Sequence, residues 1–211
     1  MVATDGHRLA LHDAGPCPDG ANGMPGVIIP HKTVKLLRAL LQPVYEGRGK
    51  SQTRVTPDHV GITVNCTKIR FRFGNYEVVS KLIDGTFPDY RRVMPNPARF
   101  TRATMGANEF AAMVSKVASI SSERGRAVKL EFDGGLVMAS ISNPDAGSIS
   151  DMMTADVEGP ALAIGLNARY VMDILAHFKG LPITFQMEDQ GSPARITGAP
   201  RTTIVLMPMR I

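Results

Sequence analysis

The chain has 211 residues, a formal net charge of +5 and 44% hydrophobic residues, which suffices for one large or two small globular domains. It contains no run of about 18 apolar residues and no basic stretch followed by an apolar one, so we expect neither a membrane span nor a signal peptide. Cys17 and Cys66 are the only cysteines, and two isolated thiols provide no disulfide framework and no metal-ligand spacing, which favours a reducing, cytoplasmic setting.

The first twelve residues indicate a strand remnant with a tight turn at Asp5-Gly6, because glycine tolerates a positive φ. No strand long enough to pair precedes this turn. We therefore expect the chain to begin inside a domain.

Apolar residues at helical spacing predict three helices, over residues 31–41, 108–120 and 167–178. In the first helix Val34, Leu37 and Leu41 lie on the apolar side, and Pro30 and Pro43 flank it. Alternating apolar residues predict strands between and after the helices. The predicted strands cover residues 60–64, 69–73, 128–132, 136–141, 152–157, 161–164, 183–187, 194–197 and 203–207.

The predicted elements repeat in the order strand, helix and three strands. The repeats span residues 26–80, 101–157 and 161–208, and the segment 83–97 is rich in Pro, Asp, Gly and Arg, as linkers are. This order predicts an α+β protein in which repeated βαβββ units place helices on one face of antiparallel sheets. We expect a truncated domain at residues 1–87 and a complete domain at residues 88–211.

Two short patterns invite an enzymatic interpretation. Gly49-Lys50-Ser51 resembles the end of a phosphate-binding loop, but that loop needs a glycine where Val44 stands, so we reject it. Asp5 and His7 are two residues apart on one strand and suit an acid–base pair, so a hydrolase or nuclease stays an alternative. No recognisable nucleophile elbow or metal motif accompanies them.

Basic residues recur on two of the predicted helices. Lys32, Lys35 and Arg38 share one helix face, while Lys116 lies on the second helix and Arg124 and Arg126 follow it. A basic helix face is usually just exposed to solvent. Two basic faces together could instead bind the phosphates of a nucleic acid without recognising its base sequence. A general basic DNA-binding module without a peptide pocket is therefore a second alternative.

The chain ends in an apolar segment. Methionine is flexible and suits surfaces that accept several apolar partners, and Pro208 prevents further sheet pairing. The segment Leu206–Ile211 therefore has the composition of a contact surface.

Three motifs resemble the bacterial DNA polymerase III beta subunit family, the sliding clamps. They are Val2-Ala3-Thr4-Asp5-Gly6-His7-Arg8-Leu9-Ala10, the pair Ser80-Lys81-Leu82-Ile83-Asp84-Gly85 and Phe87-Pro88-Asp89-Tyr90-Arg91-Arg92-Val93, and Met207-Pro208-Met209-Arg210. The resemblance implies the DNA clamp fold, with part of the middle domain and the whole last domain. It implies a non-catalytic processivity factor without cofactor or metal, whose full-length form closes as a homodimer ring around duplex DNA.

The resemblance also implies site residues. A pocket would bind short peptide motifs of the replicative polymerase catalytic subunit, the clamp loader, and repair and translesion polymerases. Its residues would be Thr4, Gly6, His7, Arg8, Leu9, Pro88, Arg92, Val93, Asn167, Tyr170, Pro193, Val205, Leu206, Met207, Pro208, Met209 and Arg210. The residues facing DNA would be His31, Lys32, Lys35, Arg38, Lys116, Arg124 and Arg126, and Ser119 and Ile120 would contact the neighbouring subunit.

Overall fold

The computed structural model describes residues 1–16, 20–42, 59–95, 100–121 and 127–210, and the backbone of Tyr45–Glu46 and Thr53–Arg54. Cys17, the segment 49–51, Arg124, Arg126 and Ile211 lie outside the described residues. The chain divides into a larger unit, Met1–Gly15 with Asp89–Ile211, and a smaller unit, Pro16–Pro88. The domain boundary predicted between residues 87 and 88 lies next to Asp89, but the larger unit also takes in residues 1–15.

In chain order the helices and strands of the two units are β1 (Val2–Thr4), β2 (Arg8–His12), α1 (His31–Leu40), β3 (Tyr45–Glu46), β4 (Thr53–Arg54), β5 (Gly61–Val64), β6 (Lys68–Phe73), β7 (Tyr76–Lys81), β8 (Thr101–Gly106), α2 (Ala107–Val117), β9 (Ala127–Asp133), β10 (Leu136–Asn143), β11 (Gly147–Thr154), β12 (Asp156–Glu158), β13 (Leu162–Asn167), α3 (Ala168–Leu175), β14 (Pro182–Met187), β15 (Ala194–Thr197) and β16 (Thr202–Leu206). Short 3₁₀ turns lie between β7 and β8, at Tyr90–Val93, and directly after α2, at Ala118–Ile120.

No helix in the described part of the chain is long and apolar enough to cross a membrane.

The larger unit consists of two antiparallel sheets and two helices around one core. The first sheet has the strand order β1-β2-β16-β15-β14-β8-β12, and the second has the order β11-β10-β9-β13. Alternate residues of the inner strands and the apolar stripes of α2 and α3 form the buried cluster, as the period-two and helical patterns require. The predicted α+β architecture of repeated βαβββ units is confirmed.

The hairpin at the N-terminus belongs to the larger unit because β2 pairs with β16, the last strand of the chain. Leu9 is opposite Val205 and Arg8 is opposite Leu206 in this pairing. Residues at opposite ends of the sequence thereby become neighbours in one sheet. The larger unit is therefore built from two segments that are not consecutive in the sequence.

Helix ends agree with their local chemistry. The Asn167 side chain caps α3 by accepting hydrogen bonds from the N–H groups of Arg169 and Tyr170. The helix predicted over residues 108–120 is α2 from Ala107 to Val117, followed by the 3₁₀ turn. The helix predicted over residues 167–178 ends earlier, at Leu175.

The strand predicted over residues 152–157 is wrong in its extent. β11 begins already at Gly147, and β12 begins at Asp156 after a break. β11 is an edge strand on which most residues are exposed. Because exposed positions tolerate polar residues such as Ser148 and Ser150, the first half of β11 lacks the apolar alternation by which a strand is predicted. The strand predicted over residues 161–164 extends to Asn167.

The smaller unit has a three-stranded antiparallel sheet, β5-β6-β7, with α1 packed against it. Ile69, Phe71 and Phe73 of β6 are buried, and Leu37 and Leu40 of α1 pack on them. The placement of Val34 on the buried side of α1 is wrong, because 49% of this residue is exposed.

Candidate functional site

The turn of the N-terminal hairpin is held by the Asp5 carboxylate. Its Oδ1 accepts hydrogen bonds from the backbone N–H groups of His7 and Arg8, at 3.1 and 2.9 Å, and its Oδ2 accepts one from Arg8 Nε at 3.0 Å. The Thr4 hydroxyl also stabilises the turn, since it donates a hydrogen bond to the Arg8 carbonyl and accepts one from the Gly6 N–H. Gly6 has a φ of 87°, which glycine adopts without strain.

The pKa of Asp5 follows from these contacts. Burial alone raises the pKa of the Asp5 carboxyl, but the N–H groups of Arg8 and His7 and the Arg8 guanidinium outweigh it. The pKa is therefore held below its ordinary value. A lowered pKa stabilises the folded state above the pKa of the unfolded chain, and this contribution is lost as the pH falls through the folded pKa.

We expect Asp5→Asn to make the larger unit's stability less dependent on pH below about pH 4. Asparagine keeps the oxygen that accepts the turn's N–H groups but loses the carboxylate. Because 44% of the Asp5 side chain is exposed, the loss of unfolding free energy on acidification should differ between the two proteins by less than about 1 kcal/mol. Urea unfolding of both proteins at neutral pH and at about pH 3 measures it, and parallel losses in the two proteins would contradict the expectation.

Arg8 connects the hairpin to α3. Its Nη1 donates to Asp173 Oδ2 at 3.0 Å, and its guanidinium carbon lies 4.5 Å from the centre of the Tyr170 ring. The His7 ring stacks on the same tyrosine, with 6.1 Å between ring centres. Tyr170 is therefore positioned by two side chains of the hairpin, at distances suited to cation–π and aromatic contact.

The sheet register divides the hairpin residues between two faces. Leu206 belongs to the main core, so Arg8, its partner, lies on the face that carries α3. Leu9 and Val205 are the next pair along the two strands and therefore lie on the opposite face, where both are buried. Thr4 is opposite Leu9 in β1 and shares that face.

The C-terminal segment passes from one sheet to the other. The Met207 N–H donates to the His7 carbonyl at 2.9 Å, and the Met209 N–H donates to the Gly165 carbonyl of β13 at 2.8 Å. The side chains of Met207 and Met209 remain 37% and 36% exposed. The segment thus presents two flexible apolar side chains beside the hairpin.

The remaining predicted pocket residues are less closely grouped. Val93, which is half-buried, and Arg92, whose side chain is paired with Asp89 at 3.2 Å, belong to the 3₁₀ turn of the larger unit. Pro193 directly precedes Ala194, whose partner in the sheet is Leu206. Pro88 is the last residue of the smaller unit.

Two residues outside the predicted set contribute to this site. Asp173 holds Arg8, and Gly165 pairs with Met209. Asp173 lies three residues after Tyr170 on α3, so helical spacing was a signal that both share a face. No sequence pattern indicated Gly165, since its role depends on a backbone carbonyl.

The proposed acid–base pair of Asp5 and His7 is not formed by their side chains. The Asp5 carboxylate accepts the backbone N–H of His7, while the His7 ring stacks on Tyr170. Within the described ranges no group of three His, Cys, Asp or Glu side chains is placed to hold a metal ion. Neither observation favours a hydrolase or nuclease.

The residues predicted to face DNA lie in both units. His31, Lys32, Lys35 and Arg38 are exposed on α1. Lys116 is exposed on α2 and forms an ion pair with Asp151 at 3.1 Å, which partly neutralises it.

The residues predicted to contact a neighbouring subunit, Ser119 and Ile120, form the 3₁₀ turn after α2. The Ile120 carbonyl accepts a hydrogen bond from the Asn143 side chain at 2.8 Å, which ties the turn to the end of β10. Ser119 is exposed, and Ile120 packs partly on the core.

A separate cleft of about 570 Å³ lies in the smaller unit. It is lined by residues that include Val27, Lys68, Lys81 and Asp84. None of the predicted site residues lines this cleft.

Residues 91–210 match the family model of the DNA polymerase III beta subunit, C-terminal domain, and residues 1–89 match that of its central domain. The beta sliding clamp of Caulobacter vibrioides is 39% identical over 212 residues, covering 100% of this chain and 53% of the relative. A sliding clamp (DNA polymerase III subunit beta) from Bartonella birtlesii bound to griselimycin has a TM-score of 0.87 at 40% identity, covering 100% of this chain and 54% of that one. A clamp from Caulobacter crescentus, with polyethylene glycol bound to its proposed β-motif tethering region, has a TM-score of 0.85 at 38% identity, covering 100% and 53%. The chain spans about half the length of these relatives.

Proposed function

The chain belongs to the DNA polymerase III beta subunit family, and we propose that it carries the partner-docking part of a bacterial sliding clamp. In this proposal it acts in the cytoplasm as a non-catalytic processivity factor, needs no cofactor, and works as a homodimeric ring around duplex DNA in its full-length form. It tethers the replicative polymerase by topology and by docking, and it serves the clamp loader and repair and translesion polymerases through the same site.

The observation that supports this proposal is the apolar surface formed by the hairpin and the C-terminal segment. Met207 and Met209 of this segment are 37% and 36% exposed, whereas Leu9 and Val205, which are adjacent on one sheet face, are already buried and add little exposed area. We propose that a leucine and an aromatic residue of a partner peptide bury here, and that Arg92 and Arg210 bind its carbonyl or acidic groups at the rim. Burial of apolar area at about 25 cal/mol per Å² supplies most of the affinity.

The proposed affinity is modest. Association costs translational freedom and orders the flexible methionine side chains, so we expect a dissociation constant on the order of micromolar. Such an affinity allows one partner to replace another. Flexible methionines also let the same surface accept peptides of different shape.

Two domains fit the proposed assignment. Residues 1–89 match the central-domain family model, which supports grouping the hairpin with the smaller unit in one domain, although sheet pairing joins the hairpin to the larger unit. We propose that the hairpin belongs to the middle domain of the clamp. The pocket then combines residues from the middle and last domains.

In the proposed clamp the basic helix residues contact the DNA backbone. His31, Lys32, Lys35 and Arg38, with Lys116, Arg124 and Arg126, would attract phosphates without reading bases. Ser119 and Ile120 would face the neighbouring subunit of the ring. A basic module without a peptide pocket would share the first property but not peptide binding.

Fluorescence polarisation with a labelled Gln-x-x-Leu-Phe-type peptide tests the proposal. We expect saturable binding by the intact chain and at least about a hundredfold weaker binding by a chain that lacks residues 207–211. A peptide of the same composition in scrambled order serves as the control.

Absence of binding by the intact chain, or binding that survives the truncation, would contradict the docking site. The truncated chain should keep its circular dichroism spectrum, because β16 ends at Leu206 and retains both neighbouring strands. Linear duplex DNA as a second probe identifies a general basic module, whose affinity would survive the truncation and fall steeply with salt.

A further inference from the structure

The first sheet of the larger unit presents one face to the core and the other away from it. Phe185, Ala194 and Leu206 belong to the core, so the residues that alternate with them lie on the outer face. The strand register aligns one outer residue from each strand in a line across the sheet, here called the outer row. The outer row consists of Thr4, Leu9, Val205, Arg195, Gln186, Arg102 and Glu158. It therefore holds apolar residues near the hairpin and charged residues further along.

Arg195 is the charged residue of the outer row that borders the proposed docking site. It lies on β15 directly opposite Val205, a predicted pocket residue, and Val205 in turn lies opposite Leu9. Directly opposite residues of antiparallel strands have Cβ atoms about 4.5–5.5 Å apart, so the stem of Arg195 adjoins Val205. The residue is half-buried.

The guanidinium of Arg195 has no counter-charge in the part of the chain that the structure describes. It forms no ion pair there, and its Nε is buried without a hydrogen-bond partner. Native proteins rarely leave a buried donor unpaired, because its lost hydrogen bonds to water are then not replaced. The two Nη groups are not buried in this way, so they stay open to a ligand.

Two other arginines of the larger unit are already paired. Arg102, in the same row, lies 3.6 Å from the Glu158 carboxylate, and Arg92, a predicted pocket residue, lies 3.2 Å from that of Asp89. A ligand carboxylate that binds either arginine competes with the carboxylate already present. Because no described carboxylate competes at Arg195, this residue attracts an incoming negative charge more strongly.

The acidic residues nearest to Arg195 in the sequence do not neutralise it. Asp189 Oδ1 accepts the backbone N–H groups of Gly191 and Ser192, both at 2.7 Å, and its Oδ2 accepts the Ser192 hydroxyl at 3.0 Å. The Asp189 carboxylate is therefore engaged within its own loop. Glu188 is exposed, and no ion pair among the described residues joins it to Arg195.

We propose that Arg195 makes the docking site selective for peptides that carry an acidic side chain beside their apolar residues. This inference rests on the proposed function, since it requires that a peptide dock its apolar side chains next to Val205. The peptide carboxylate binds the Nη groups of Arg195 in a planar, charge-assisted arrangement. The docked peptide also excludes water from the pair, which strengthens the attraction.

A carboxylate fits this place better than a neutral carbonyl group does. Hydrogen bonds that involve an ionised group are roughly twice as strong as neutral ones, and Arg195 lacks a negative partner. In an extended peptide, alternate side chains lie on one side, about 7 Å apart. An acidic residue within two positions of the apolar pair is thus within reach of the long arginine side chain.

Fluorescence polarisation with matched peptides tests the proposal. The peptides are of the Gln-x-x-Leu-Phe type, amidated at the C-terminus, with Asp or Asn at one x position or directly after Phe. Because Asp and Asn have nearly the same shape, each pair of peptides measures the effect of the charge. At one position or more we expect Asp to bind at least about fivefold more tightly than Asn, between the effects of an exposed ion pair and of a buried charged hydrogen bond. Added salt should reduce this preference.

Substitutions of Arg195 assign the preference to this residue. Arg195→Gln should abolish it by weakening binding of the Asp peptide, with a much smaller effect on the Asn peptide. Arg195→Met, which keeps most of the stem and has no buried donor, should do the same and replaces the Gln variant if that variant does not fold. Arg102→Gln is the matched control, because it removes a paired cation from the same row, and it should keep the preference. Circular dichroism of each variant reports its folding.

The possible results separate this proposal from the docking function. Equal affinity for the Asp and Asn peptides at every position overturns the role of Arg195 and leaves docking intact. A preference that survives loss of the Arg195 charge also overturns it, and Arg210→Gln then tests whether the exposed Arg210 is responsible. Failure of the unmodified chain to bind any of these peptides contradicts the docking function itself, and this proposal with it.

Discussion

Replacing Phe185 with alanine is expected to lower the free energy of unfolding of the larger unit by about 3–5 kcal/mol. The Phe185 side chain is fully buried on β14 at the centre of the core. Its ring lies 5.4 Å from that of Phe110 in an edge-to-face arrangement and 6.2 Å from that of Phe132. Alanine would leave a cavity between α2 and both sheets and would remove two aromatic contacts of about 0.5–1.5 kcal/mol each.

Met152→Ala is the control for this substitution. Met152 lies on the edge strand β11 of the same unit and is 62% exposed, so its loss should change the stability by no more than about 0.5 kcal/mol. The chain contains no tryptophan, so urea unfolding is followed by circular dichroism. A shift of the midpoint without a change in slope indicates lost stability, and similar midpoints for both variants would contradict the role of Phe185.

The helices and the repeat order could be predicted from the sequence because their signals are local. Helical spacing of Phe110, Met113 and Val117 marks the buried stripe of α2, and all three are buried. Repetition of strand, helix and three strands then predicts sheets with helices on one face. Edge strands such as β11 gave a weaker signal, because most of their side chains are exposed whether or not they pair.

The arrangement of the candidate site could be predicted only in part. Motif resemblance brought together the hairpin and the C-terminal segment, and the pairing of Leu9 with Val205 agrees with that grouping. The ion pair of Arg8 with Asp173 joins residues 165 positions apart, so no local pattern indicates it. The exposure of Val34 likewise depends on which elements pack around α1, and helical spacing carries no information about that.

Replacing Tyr170 with alanine is expected to weaken binding of the Gln-x-x-Leu-Phe-type peptide at least about tenfold, because this aromatic residue is expected to border the proposed pocket. The Tyr170 ring is half-buried and contacts both the His7 ring and the Arg8 guanidinium. Its loss removes apolar area available to a ligand. It also leaves Arg8 held by the carboxylates of Asp5 and Asp173 alone.

Two further variants test whether the ring of Tyr170 itself contributes to peptide binding. Tyr170→Phe keeps the ring and its contacts with His7 and Arg8, so it should bind the peptide within about twofold of the unmodified chain. Tyr76→Ala removes a tyrosine that is 56% exposed in the smaller unit and should leave the affinity unchanged. Equal binding by the Tyr170→Ala chain, measured by fluorescence polarisation, would exclude this ring from the site. Weak binding by both Tyr170 variants would assign the effect to the hydroxyl group, because only the alanine variant lacks the ring.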